Sequence, residues 1–174
     1  MTNTHPASEA DSTTLCKACG LCCTGHLFIW VKLRPAELDP AEALGMRVLR
    51  SEPTQRGFNQ PCPLWQGQCT IYASRHYPHA CRAYNCKLLK EMLARAIPLP
   101  DALTVVEQAK GLMGEMETLL AAAPNPNFRE RLVARIEFGG DDADSVFRQK
   151  AEGLLVLYEN IFGVKDLLEA NPLV

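Results

Sequence analysis

The chain has 174 residues, of which 47% are hydrophobic, and its formal net charge is −2 at pH 7. This length suffices for one domain with its own core, or for a small module with a helical extension. Because the chain has no excess of basic side chains for a phosphate backbone or an anionic membrane, nucleic acid and membrane are not among the predicted partners.

Residues 1–13 are mostly polar and lack the apolar stretch of a secretory signal, so they are predicted to form a disordered tail. The longest apolar run, Leu27 to Val31, is too short to span a bilayer. These two features lead us to expect a cytoplasmic protein. In a reducing cytoplasm, clustered cysteines are more often metal ligands or catalytic groups than disulfide partners. A disulfide scaffold is the alternative for an oxidising compartment.

A cysteine-cluster metal-binding module is predicted over residues 14–96. Its segment HLFIWVKL is dense in β-branched and aromatic residues, which favours a short strand. The following RPAELDPAEAL favours a short helix, because Pro35 suits a first helical turn while Pro40 interferes with a long helix.

The second half of this module is predicted to contain a hairpin and a helix. In CPLWQGQCTIY, Gly67 can adopt the positive φ of a tight turn, which predicts a β-hairpin that brings Cys62 and Cys69 together. The next segment, PHACRAYNCKLLKEMLARA, is predicted to be a helix that carries Cys81 and Cys86.

The remaining segment, residues 97–174, is predicted to be helical and to pack on the module. Apolar residues recur in its first helix at close to helical spacing: Leu103, Val106, Leu112, Met116 and Leu119. Further helices are expected over Phe128 to Phe138, Asp144 to Phe162 and Val164 to Ala170. Their apolar faces are interpreted as core, and their outer surfaces as a site for a protein partner. The predicted fold class is mainly α with a small β-hairpin, an irregular cysteine-rich module followed by a helical segment.

All of the cysteines lie in the first half of the chain, and we predict that every one of them is a metal ligand. They are Cys16, Cys19, Cys22, Cys23, Cys62, Cys69, Cys81 and Cys86. The first three form C-x-x-C-x-x-C, a spacing typical of loops that hold an iron-sulfur cluster with one remote cysteine. Structural zinc sites more often use two separate C-x(2–4)-C turns. An iron-sulfur cluster is therefore the preferred cofactor, and zinc stays open.

The adjacent pair Cys22 and Cys23 predicts two centres, because neighbouring side chains usually diverge. One hypothetical grouping joins the C-x-x-C-x-x-C thiols with Cys62, which precedes a proline as ferredoxin ligands often do. The thiols left for the second centre are then Cys23, Cys69, Cys81 and Cys86. The grouping itself stays open at this point.

Other polar residues lie among the cysteines. His26, His76 and His79 are alternative ligands if a set of thiols is incomplete. Arg75, Arg82 and Tyr84 are close in sequence to Cys81, where they can offset thiolate charge or donate a hydrogen bond toward sulfur. The alternative is that they are solvated helix residues. No nucleotide-binding or hydrolase motif is present, so whether the chain is an enzyme stays open.

The segments CKACGLCC, CPLWQGQCTIY and PHACRAYNC together resemble the CxxCxxCC cysteine-cluster family of zinc- or iron-chelating domains. The resemblance covers residues 16–86 and matches all eight cysteines. It implies metal binding, for which we consider a redox or iron-handling role. The pattern is also similar to flagellin lysine N-methylases, longer enzymes for which the resemblance implies an iron-sulfur centre. The alternative function is therefore a cluster-containing protein-modifying enzyme, although no methyl-donor site is recognisable.

Overall fold

The computed structural model describes residues 9–50, 56–120, 127–138 and 145–165. These residues form a mainly helical structure with a small antiparallel sheet, which confirms the predicted fold class. In chain order the elements are α1 Glu9–Cys19, β1 Trp30–Lys32, a 3₁₀ turn Pro35–Glu37, α2 Leu38–Ala43, β2 Val48–Leu49, β3 Gly57–Asn59, α3 His79–Ala83, α4 Lys87–Leu93, α5 Leu99–Leu119, α6 Phe128–Phe138, α7 Ser145–Leu157 and a π-helical turn Tyr158–Phe162. None of the described helices combines the length and the apolar character that a membrane span requires.

The three strands form one sheet in the order β1-β3-β2, with both pairings antiparallel. Phe58 lies opposite Val31 on one side and opposite Val48 on the other. Phe58 and Val31 are fully buried, so the sheet contributes its central residues to the core. At Gly57 a Cβ atom would lie 2.0 Å from the Val31 carbonyl oxygen, so the close approach of β1 and β3 requires glycine there.

The predicted hairpin around Gly67 is much shorter than expected, and the sheet lies elsewhere in the chain. Only one β-bridge forms there, between Trp65 and Cys69. The pairing does not extend, because the Cys62 N–H donates to the Cys23 carbonyl at 2.7 Å instead of to the facing segment. The segment around Gly67 is therefore hydrogen-bonded to the adjacent pair Cys22-Cys23 and does not form a separate hairpin.

The single helix predicted to carry Cys81 and Cys86 is two helices, α3 and α4. Tyr84, between them, has extended backbone angles (φ −75°, ψ 123°). Cys86 is also extended and is the N-cap of α4, where its Sγ atom accepts a hydrogen bond from the Leu89 N–H at 3.4 Å. This break separates the two cysteines and begins a new helix directly after Cys86.

Helix α1 begins at Glu9, so residues 9–13 of the predicted tail are helical. The polar composition of this stretch gave no sign of a helix. α1 packs on α4 and α5, Leu15 is buried, and Lys110 Nζ of α5 donates to the Ala18 carbonyl at 2.6 Å. Packing of its final turns therefore stabilises a helix that the sequence did not predict. The division of the chain at residue 97 stays a prediction.

Helix α5 is the element on which α1, α4 and α7 all pack. Its fully buried side chains are Ala102, Val106, Ala109, Met113 and Met116. Of the predicted stripe, Val106 and Met116 are therefore in the core, whereas the leucines are only partly buried against it. Ala102 and Ala109 occupy fully buried positions instead of these leucines, because their small side chains permit closer approach of neighbouring helices. The predicted helix beyond Val164 lies largely outside the described residues.

Candidate metal centre

The C-x-x-C turn at the end of α1 sets the first thiols in position. Cys16 and Cys19 are three residues apart on the helix and therefore share one face. Gly20 follows in the left-handed conformation (φ +67°), which favours glycine. A Cβ atom at Gly20 would lie 2.1 Å from the Trp65 indole ring, so the loop before Cys69 packs directly on this turn.

A cavity of about 80 Å³ lies beside α1, and cysteines form much of its wall. Those that line it are Cys16, Cys19, Cys22, Cys23, Cys69, Cys81 and Cys86. Cys62 is not part of the wall but is joined to it, because its N–H donates to the Cys23 carbonyl. The fold thus brings all eight predicted ligands into one region, although they are spread over 71 residues of the chain.

All eight cysteines are free, partly buried thiols. In the described part of the chain, which includes every cysteine, no three Cys, His, Asp or Glu side chains are already arranged to hold a metal ion.

The thiols have raised pKa values because they are buried close to one another. Burial, followed by the charges of Cys86 and Cys19, raises the pKa of Cys16 to about 12. Burial likewise raises the pKa of Cys19 to about 11, and that of Cys22 well above its ordinary value. The protein alone therefore keeps these groups protonated at neutral pH, and a bound cation would have to displace their protons.

The mutual charge effects divide the thiols into two groups. We call the first the α1 group: Cys16, Cys19, Cys22 and Cys86. We call the second the loop group: Cys23, Cys62, Cys69 and Cys81. Within each group, the cysteine charges raise the pKa values of the other thiols. Between the groups there are two exceptions: Cys23 raises the pKa of the adjacent Cys22, and Cys19 is the last of the causes that raise the pKa of Cys23.

Backbone N–H groups point at several of these sulfur atoms and lower their pKa values against the effect of burial. The donors lie two or three residues after the cysteine, as with Leu64 and Trp65 for Cys62, and Ile71 for Cys69. In the α1 group the donors are Leu21 for Cys19, and Leu88 and Leu89 for Cys86. Hydrogen bonds of this kind stabilise a thiolate and tune a metal bound to it.

Three tyrosines complete the wall of the cavity, of which only Tyr84 was considered from the sequence. Tyr72 hydrogen-bonds the Cys16 thiol, and the Tyr77 hydroxyl donates to the Cys81 carbonyl at 3.3 Å. The guanidinium of Arg82 lies 5.3 Å from the centre of the Tyr77 ring. The sequence signal for these residues was their position within three to four residues of a cysteine.

The predicted alternative ligands have other partners. Nδ1 of His26 lies 2.7 Å from Thr24 Oγ1, and its ring packs 4.5 Å from that of Phe128. Burial lowers the pKa of His26 to about 4. His76 Nε2 accepts a hydrogen bond from Arg75, and the backbone N–H of His79 donates to the Glu37 carboxylate. No histidine is among the described residues that line the cavity.

The loop after the adjacent pair Cys22-Cys23 accepts hydrogen bonds from the C-terminal part of the chain. Sequence analysis did not predict these contacts. Arg129 is completely buried, and its Nη1 donates to the Leu27 carbonyl at 2.8 Å. Asn127 Nδ2 donates to the Phe28 carbonyl at 3.3 Å, and the Tyr158 hydroxyl donates to the carbonyl of His26 at 2.5 Å. These side chains lie about a hundred residues from their acceptors, so no local pattern indicates the contacts.

The fold and the site together define a mainly helical cysteine-cluster domain with eight thiols around one region. Residues 15–98, just under half of the chain, match the family model CxxCxxCC, described as "Putative zinc- or iron-chelating domain". The match confirms the resemblance inferred from the cysteine spacing. No curated protein and no solved structure matches the chain.

The residues present fit the metal that the family description implies. The donor set consists of thiols, which bind zinc, and iron in iron-sulfur clusters, as thiolates. Backbone N–H groups already point at four of the sulfur atoms. The α1 group and the loop group therefore supply the chemistry of a zinc- or iron-binding site.

Proposed function

We propose that the chain is a cytoplasmic protein that binds an iron-sulfur cluster or zinc through all eight cysteines, with iron-sulfur preferred. The observation that supports the proposal is the gathering of the eight thiols in one region, seven of them on the wall of one cavity, with backbone N–H groups pointing at several of the sulfur atoms. When bound, an iron-sulfur cluster supplies one-electron redox chemistry. The protein would then serve in electron transfer, redox sensing or iron handling.

The preference for iron-sulfur over zinc depends on the spacing of the first three thiols. They follow one another at two-residue intervals through a single turn. Such a run can hold several irons of one cluster, whereas a structural zinc site usually takes its ligands in pairs from two turns. The partly apolar surroundings, which include Leu21 and Leu88, favour retention of a cluster by limiting solvent access.

The test is elemental analysis and electron paramagnetic resonance of protein purified without oxygen. Stoichiometric iron and acid-labile sulfide, with a brown colour, are expected. A colourless protein with stoichiometric zinc would reject the iron-sulfur proposal and retain metal binding. A chain that binds neither metal would reject both.

The enzymatic alternative and the protein partner stay predictions. No observation on the described residues favours a methyl-donor site, and equilibrium dialysis of the metal-loaded protein with S-adenosylmethionine would detect one. For a partner, the C-terminal helices expose apolar side chains, of which Phe138 is 82% exposed and Val156 58%. Loss of partner capture on substituting these two residues would support that interface.

A further inference from the structure

We propose that the chain holds two separate four-cysteine centres, one on the α1 group and one on the loop group, joined at the Cys22-Cys23 peptide. This inference rests on the proposed function, since it assigns the ligands of the metal that the chain is proposed to bind. It also revises the grouping suggested by the sequence, because Cys86 takes the place of Cys62 beside the C-x-x-C-x-x-C thiols.

The position of Cys86 is set by the packing of α4 on α1. Cys86 is the N-cap residue of α4, and α4 packs directly on the helix that carries Cys16 and Cys19. All three residues line the cavity and pack against the hydrophobic core. The fourth member, Cys22, follows the Gly20 turn and also packs against the core. The α1 group is therefore held by two helices that contact each other.

The position of Cys62 is set by a backbone hydrogen bond to Cys23. Its N–H donates to the Cys23 carbonyl at 2.7 Å, which fixes its backbone next to Cys23. The bridge between Trp65 and Cys69 then folds the same loop back, so that Cys69 returns toward Cys62. Cys62 and Cys69 are therefore held beside Cys23 by a turn rather than by helix packing.

The position of Cys81 is set by a different helix from the one that Cys86 caps. Cys81 lies on α3, which packs on β1, whereas Cys86 caps α4, which packs on α1. The extended backbone of Tyr84 separates these two helices. Cys81 and Cys86 are therefore held by different contacts, which supports their assignment to different sites.

The two centres are expected to differ in accessibility. All four thiols of the α1 group pack against the hydrophobic core, whereas Cys23 and Cys69 of the loop group do not. Lys17 lies close to Cys69 and 5.5 Å from the ring of Tyr72, which gives the loop group a cationic neighbour. We therefore expect chelators and alkylating reagents to reach the loop group first.

The first test compares two double variants that each lose two cysteines. Cys16→Ser/Cys86→Ser removes two ligands of the α1 group, so metal at the loop group should remain and total metal should fall by about half. Cys16→Ser/Cys62→Ser removes one ligand from each group and should lose nearly all metal. Metal and acid-labile sulfide per chain are measured on anaerobic protein, with helicity checked by circular dichroism.

The grouping inferred from the sequence predicts the reverse result, in which Cys16→Ser/Cys62→Ser retains about half of the metal. That result, or equal losses in the two variants, would overturn the assignment. If the unsubstituted protein binds no metal, the proposed function itself fails, and the two kinds of failure are thereby distinguished.

A second test uses the unsubstituted protein, in case the variants do not fold. The metal-loaded chain is treated with limiting EDTA in the presence of iodoacetamide, and the labelled cysteines are identified by mass spectrometry. The four loop-group thiols should become labelled together and before the α1 group. Labelling of Cys62 in step with Cys16, or of all eight thiols together, would overturn the assignment.

Discussion

The cysteine module, residues 15–98, and the helices that follow it are built by different means. In the module the elements are short, and many of its contacts are single hydrogen bonds between loops, such as Cys62 to Cys23. In the second part, α5 alone is 21 residues long and presents a regular line of buried side chains. The comparison teaches that one long helix organises the packing of the second part, whereas the module, although it buries side chains of its own, also relies on contacts from outside itself.

Those outside contacts come from two sources. The first is the C-terminal part, since α5 packs on α1 and α4, and Arg129 hydrogen-bonds the loop after the doublet. The second is the proposed metal, which would join cysteines that lie far apart in the sequence. The predictions below separate the two contributions, in order of decreasing expected effect.

Removal of the metal should have the largest effect and should be confined mainly to the module. A structural metal site contributes on the order of 10 kcal/mol to folding, so chelation should loosen residues 14–90 far more than α5 to α7. Amide hydrogen exchange of the loaded and the chelated protein measures this difference. Equal loss of protection in both parts would show that the module does not depend on metal more than the helices do.

Substitution of Gly20 by alanine should destabilise the turn that carries the first thiols. The new Cβ atom would lie 2.1 Å from the Trp65 ring, and the alanine would have to adopt the positive φ that Gly20 has. Together these effects should cost about 4 kcal/mol in the free energy of unfolding.

Gly67→Ala is the matched control, because Gly67 also has a positive φ (+75°) but a Cβ atom there meets nothing within 4 Å. It should cost only about 1–2 kcal/mol. Urea denaturation of the metal-loaded variants gives both values, and equal costs would show that Trp65 does not restrict the turn.

Replacement of Arg129 by methionine should weaken the link between the two parts. The change leaves the buried Leu27 carbonyl without its 2.8 Å donor, which should cost about 3 kcal/mol in the free energy of unfolding. Faster amide exchange in residues 25–28 should accompany the loss. The control is Arg47→Met at the exposed position before β2, for which a change within about 0.5 kcal/mol is expected. Similar losses in both variants would contradict a specific role for Arg129.

Acidification should destabilise the protein through His26. Burial lowers its pKa from 6.5 to about 4 in the folded state, so the unfolded state takes up the proton first as the pH falls. The stability is complete above pH 6.5 and is lost progressively toward pH 4, by about 2–3 kcal/mol.

The His26→Gln variant isolates this effect, because acid also competes with a bound metal for the cysteine thiolates. The unfolding free energy of the unsubstituted protein should fall more steeply with decreasing pH than that of the variant. Parallel curves for the two proteins would show that His26 does not titrate between the folded and unfolded states as inferred.

Gly114→Ala should have the smallest effect and should stabilise α5. Gly114 lies in the interior of the helix, and a Cβ atom there meets nothing within 4 Å. Alanine should therefore raise the free energy of unfolding by about 1 kcal/mol. The gain, measured by thermal denaturation, should persist after chelation. Its disappearance on chelation would indicate that α5 is no more independent of the metal than the module is.

Much of the fold was predictable where periodic apolar residues dominate. α6 has the predicted bounds, Phe128–Phe138, and the face of α7 that carries Phe147 and Leu154 is buried as expected. Prediction failed where contacts between distant segments override local preference. α1 extends into a polar stretch because it packs on α5, and the hairpin around Gly67 is reduced to one bridge because Cys62 bonds to Cys23.

For the candidate site, the sequence identified the eight cysteines but not their surroundings. Tyr72, Tyr77 and Arg129 acquire their roles through contacts with residues that are distant or not periodic in the sequence. The neighbours of Cys86 depend likewise on how α4 packs against α1.

The sequence by itself determined the resemblance to a cysteine-cluster domain, the number of thiols and the mainly helical class, because ligand spacing and helical periodicity are local properties of the chain. Only the tertiary structure decided which thiols are neighbours. Cys62 precedes a proline and looked suited to the first centre, but its backbone bond to Cys23 places it in the loop group, whereas Cys86 joins α1. Neighbours of this kind are decided by the packing of helices and loops, which spacing along the chain does not encode.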